Sequence, residues 1–207
     1  MIIGVGDAAW TTLGYSFSLG LSLILAIGAQ NAFVLKQGLK GEFVFWVCLV
    51  CALSDAVLIL LGVFGFAFVS EKLPLVAECA KWGGVVFLLG YGLRSFWLAA
   101  GDPQMLQPTG ADQGSLSSVV LTCLAFTWLN PHVYLDTLIL IGSVSTGFVA
   151  TLGWFALGAT SASFVFFFSL GYGAAWLRPL FAKPLAWRIM DGAIGVTMWL
   201  IAYSLIS

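Results

Sequence analysis

Six apolar stretches, each near the length that crosses a bilayer, take up almost the whole chain and leave few folds open to it. They run over residues 10–35, 43–69, 80–100, 116–142, 148–177 and 187–206. A helix needs about 20 predominantly apolar residues to span the hydrocarbon core. Inside lipid each backbone polar group must be satisfied within the protein. The expected fold is therefore all-α, with six transmembrane helices in a single domain over 1–207. Of the 207 residues, 61% are hydrophobic and only 8% charged, against about 25% charged in an average soluble domain. The net charge of −1 offers nothing to nucleic acid, whose binding needs clustered Lys and Arg. The lipid bilayer is the first expected partner.

The polar connection 101–115 divides the chain into halves of about 1–100 and 116–207, each with three helices. A three-helix unit enters the membrane from opposite sides in its two copies, so repeats of this kind are inverted. Asn31 and Asn130 fall at one common offset between the halves, as do Val34 and Val133. Lys and Arg in short loops set orientation. The first and fifth connections hold Lys36, Lys40, Arg178, Lys183 and Arg188, and the opposite face holds Lys72 and Lys81. That bias predicts cytoplasmic odd-numbered connections, both termini outside, and a bacterial inner membrane. The first ten residues lack Lys and Arg and so lack the basic region of a signal peptide. The first span is expected to stay.

Two polar interruptions break the apolar pattern. Gly28-Ala29-Gln30-Asn31 interrupts the first stretch, and Trp128-Leu129-Asn130-Pro131-His132 the fourth. Such breaks at corresponding places in two halves point to a transporter's binding site. Gly28 and Pro131 are the expected kinks. Pro131 lacks an amide donor and should free the Thr127 carbonyl four residues back. Gln30, Asn31 and Asn130 supply donors and acceptors, although a single Asn in a membrane helix often serves only to join helices.

Intramembrane charge adds the chemistry. Asp55 in the second stretch and Arg94 in the third come to similar depths, and an unpaired charge there costs about 2.5 to 3.5 kcal/mol, so they are expected to pair. Asp136 is the only charged residue between Gln113 and Leu177. Its sole titratable neighbour is His132, one turn before it on the same helix face. A lone intramembrane carboxylate suits cation binding or proton carriage. Asp191 and Glu42, near helix ends, are expected to be solvated. Ser54, Thr160, Ser161 and Ser163 are expected to back-bond or pack.

No cofactor or metal site is expected, since there is one His and no zinc-ligand spacing. Cys48 and Cys51 have the spacing of a redox pair, but thiols among apolar neighbours react poorly and read as core fillers. Small residues such as Gly62, Gly65, Gly171 and Gly173 suit either internal packing or a homodimer interface.

These motifs together resemble the lysine exporter (LysE) family, in its basic amino acid branch of arginine and lysine exporters. The match rests on residues 28–38, on Cys51-Ala52-Leu53-Ser54-Asp55, on Trp82-Gly83-Gly84-Val85, and on the long motif from Thr127 to Thr137. The resemblance implies no enzyme but a transporter that exports L-arginine or L-lysine, with Gln30, Asn31, Asp55, Asn130, His132 and Asp136 at the transport site. Proton entry would drive export, with Asp55 or Asp136 carrying the proton. The alternatives are an exporter of neutral amino acids or homoserine, or a membrane thiol-disulfide conductor using Cys48 and Cys51. One departure is Ala29, where the family usually has Pro; it predicts a softer first kink.

Overall fold

Apolar side chains all round a segment favour helices that satisfy their own backbone groups, and helix is what the chain forms. The structure, a computed structural model, describes residues 5–25, 28–101 and 115–206, with side chains at 5, 66–77, 80 and 182 left out. Most of the polar connection 101–115 therefore lies outside the described residues, as does the side chain of Lys72. In order come α1 (Val5–Ile24), α2 (Ala29–Lys40), α3 (Val44–Ala100), α4 (Leu116–Trp128), α5 (Pro131–Tyr134), a π-helical segment (Leu135–Ile141), α6 (Gly142–Ser145), a 3-10 segment (Thr146–Thr151), α7 (Leu152–Gly173), a second 3-10 segment (Ala174–Ala182) and α8 (Pro184–Ile206).

By length and composition four helical segments can cross a membrane: Val44–Gly65, Lys81–Ala100, Pro131–Phe181 and Pro184–Ile206. They become five when the bent pair Gly6–Ile24 and Ala29–Lys40 is taken as one span. The protein is a multi-pass, all-α membrane protein. The expected loop between the second and third stretches is replaced by one helical run, α3, and this run folds back on itself. At 1.5 Å rise per residue, Ser54 and Gly84 on a straight helix would stand about 45 Å apart. Instead both touch the end of α4. Trp128 Nε1 donates to Ser54 Oγ at 3.3 Å, and Gly84 lies directly against the Leu129 carbonyl, where a Cβ would collide.

The longest remaining segment also turns. Phe148 (φ −119°, ψ 31°) leaves helical geometry, and Ile141 and Phe155 meet in one cluster with Ile59.

Helix α7 is the spine. Thr12 and Thr151 share a 2.9 Å hydrogen bond, and Gly158 admits the Leu13 carbonyl and Ser16 of α1. Farther along, Gly171 accommodates Cys48 of α3, and Gly38 of α2 packs on the Gly171 carbonyl. Gly62 likewise lies against the Thr137 carbonyl, so Gly62 and Gly171 serve internal packing. On the other side α8 rests on the second half of α3. Trp199 Nε1 donates to the Leu89 carbonyl at 3.3 Å, and Arg188 donates to the carbonyls of Ala99 and Gly101 at 3.1 and 3.0 Å.

An aromatic group ties α2, α3 and α4 together. The Phe126 ring lies 5.4, 4.8 and 4.9 Å from those of Phe33, Phe87 and Tyr91. Such pairs add about 0.5 to 1.5 kcal/mol each beyond burial. Their effect is positional: they fix the two broken segments, α1–α2 and α4–α5, beside each other.

Candidate functional site

Each polar interruption bends the chain, and each bend has its own fastening. At the first, Gly28 is extended (φ −128°, ψ 173°), and the axes of Gly6–Ile24 and Ala29–Lys40 differ by 85°. The softer kink expected from Ala29 is therefore corrected. Helix α1 ends at Ile24, extended Gly28 leads into α2, and Asn31 Nδ2 donates to the Ile24 carbonyl at 2.8 Å. That hydrogen bond satisfies an acceptor which the broken helix would leave bare.

At the second, Asn130 caps the new helix. Its side-chain oxygen accepts from the His132 amide at 3.1 Å, and Pro131 takes the first helical position, where a missing amide costs nothing. The Thr127 carbonyl is not freed as expected. The chain tightens at the helix end, and the Asn130 amide donates to it at 3.3 Å. The exposed acceptor is instead the Trp128 carbonyl, which Tyr134 satisfies through its hydroxyl at 2.6 Å. From Leu135 to Ile141 the helix is π-helical, a geometry that recurs at functional sites. Asp136 sits on its first turn.

The two bends face one cavity of about 290 Å³, near the lower end of the usual range for small-molecule sites. Its wall includes Gly28, Gln30, Asn31, Asp55, Asn130, His132 and Asp136. All six residues expected at the transport site are thus brought together from three parts of the sequence. Ile24, Ile59, Phe167 and Ile201 supply apolar wall.

The polar groups on this wall are sparsely satisfied. Asp55 is only 5% exposed, and its recorded partner is Ser163 of α7, whose Oγ donates to it at 3.5 Å. Gln30 Nε2 is buried without a hydrogen-bond partner among the described residues. Asp136 is half-buried and forms no ion pair with Lys or Arg among the described residues. A buried carboxylate or amide left unpaired is costly, so the cavity favours a ligand that is both cationic and able to accept hydrogen bonds.

The expected Asp55–Arg94 pair is not formed. Asp55 turns toward α7, whereas Arg94 is exposed. Among the described residues the ion pair is Lys36 with Asp191. Asp191, expected to be solvated, is 1% exposed, and Lys36, counted as a loop charge, is 8% exposed. The apolar neighbours of Asp191 in α8 are the sequence signal for its burial: the side chains of Met190 and Ile194 pack into the core. Tyr134 was also missed, because the carbonyl it serves is defined only by the break. Cys48 and Cys51 are free thiols with no exposed surface. Cys48 donates to the Phe167 carbonyl at 3.1 Å, so no partner protein can reach either sulfur.

Residues 21–207 match the LysE type translocator family. This protein belongs to the LysE family. It is a transporter and not an enzyme. Its similar relatives include the arginine exporter protein ArgO of Salmonella enteritidis PT4 and that of Salmonella typhimurium. Each is 43% identical over 190 residues, covering 91% of this chain and 90% of the relative. No solved structure matches. In this LysE-family chain the family match takes in both bends and every cavity residue named above.

Proposed function

We propose that this protein exports a basic L-amino acid, arginine or lysine, across a bacterial inner membrane, with proton entry as the driving reaction. The observation that carries the reading is the pair of carboxylates, Asp55 and Asp136, on one cavity without a Lys or Arg partner among the described residues. A cationic side chain would find its counter-charge there. Gln30, Asn31 and Asn130 line the same cavity and are the groups we assign to the α-carboxylate and α-ammonium. Two relatives named arginine exporters, similar over nearly their whole length, support the same substrate class.

Energetics favour coupling. Moving one positive charge outward against an inside-negative potential costs about 2.3 kcal/mol per 100 mV. Exchange for an entering proton removes that opposition, and either carboxylate can carry the proton. The architecture that suits this is six crossings in two inverted halves, 1–100 and 116–207, with the broken spans α1–α2 and α4–α5 as equivalent elements. The test is efflux of labelled arginine and lysine from proteoliposomes with and without an imposed proton gradient. Gradient-stimulated efflux of either is the expected result. Absence of efflux of both from tight, correctly oriented vesicles would overturn the reading.

A further inference from the structure

One buried ion pair takes no part in the cavity. Lys36 of α2 meets Asp191 of α8 with both side chains withdrawn from solvent. Lys36 follows Asn31 on the same helix, so it lies about 8 Å along α2 from the cavity wall, toward the end where Arg178 donates to the Gly38 carbonyl. Two further cations, Lys40 and Arg94, are close enough to act on the Lys36 charge. Among the described residues Asp191 is the carboxylate that holds Lys36.

A buried ion pair contributes little net stability compared with apolar side chains of the same volume. Its place in this core calls for another reason. The ammonium that Lys36 offers Asp191 is the group that a basic amino acid carries on its side chain. The first turn of α2 supplies Gln30 and Asn31 to the cavity, so any movement of this helix that alters their grip on a ligand also moves Lys36.

We infer that Asp191 is a second site for the substrate's cationic side chain, with Lys36 as a tethered occupant that leaves when substrate arrives. The inference rests on the basic amino acid reading above. Substrate passing between the cavity and the basic end of the molecule exchanges with Lys36 at Asp191, so the carboxylate is never left without a cation. Burial makes that exchange selective, because in a low-dielectric site a charged partner is attracted far more strongly than in water.

Equilibrium binding of labelled L-arginine to the purified full-length protein tests this. Wild type is expected to hold one arginine per chain, at the cavity. Lys36→Met vacates Asp191 and should hold two, and the second should vanish in Lys36→Met combined with Asp191→Asn. A folded Lys36→Met that still binds one arginine overturns the inference and leaves the substrate reading intact. Wild type that binds none overturns both. Lys36→Arg preserves the pair and guards against a misfolded Lys36→Met. Its guanidinium can grip a carboxylate with two parallel hydrogen bonds, so export should slow several-fold with arginine binding at the cavity unchanged. A wild-type export rate in Lys36→Arg would count against a tethered occupant.

Discussion

The two bends occupy matching places in the sequence and share an asparagine, yet they are built differently. In the first, Asn31 reaches backward to the carbonyl of the helix that has ended. In the second, Asn130 reaches forward to an amide of the helix about to begin, while Tyr134 closes the older end. The first bend leads into a regular α-helix anchored by Lys36 and Asp191, and the second into a π-helical segment bearing Asp136. The two bends thus share a residue type and give it different tasks. One bend presents amide groups on a fastened arm, and the other presents an ionisable group on an irregular helix.

If that division holds, loss of either cavity carboxylate, Asp136 after the second bend or Asp55 on α3, should hurt transport most. Asp136→Asn and Asp55→Asn each remove a charge contact to substrate that is worth about 2 to 5 kcal/mol when water is excluded, which is about 30-fold or more in affinity. Efflux should fall by at least that factor with the protein still folded and inserted. Tyr134→Phe should act on stability instead. It strands the Trp128 carbonyl, at a cost of about 1 to 3 kcal/mol, visible as a lower unfolding midpoint in detergent. Asn130→Ala removes a helix cap worth about 1 kcal/mol, and Asn130→Asp should restore the cap without restoring transport.

Ala29→Pro at the first bend should be nearly neutral. Ala29 is the first residue of α2, a position that tolerates proline, and thermal unfolding should shift little. The smallest effect belongs to Arg94→Ala. Arg94 is exposed and does not pair with Asp55, so stability should stay within about 0.5 kcal/mol. A large loss would revive the pairing.

Much of this was legible in the chain because lipid is an exacting solvent. Apolar length marked the spans, and polar residues that lipid would reject marked Gln30, Asn31, Asp55, Asn130, His132 and Asp136, which the fold gathers round one cavity. What stayed hidden depended on direction. Helical spacing cannot say that Asp55 looks at Ser163 and not at Arg94, or that Lys36 turns inward to Asp191, because those choices follow from how α2, α7 and α8 pack. The reversal within α3 was anticipated as a change of span, but not as a continuous helical run. The sharpness of the first bend does not follow from the missing proline at Ala29, because the helix has already ended at Ile24 and Gly28 enters α2 extended.

The central claim is that both bends enclose one substrate. It can be tested by placing single cysteines at Ile24 and Val133, one beside each bend and both lining the cavity, in a background with Cys48, Cys51, Cys79 and Cys123 replaced. The rate of alkylation at each is then followed against arginine concentration. Arginine should protect both positions with the same half-saturating concentration. Protection at only one, or at neither while efflux is intact, would contradict a shared site.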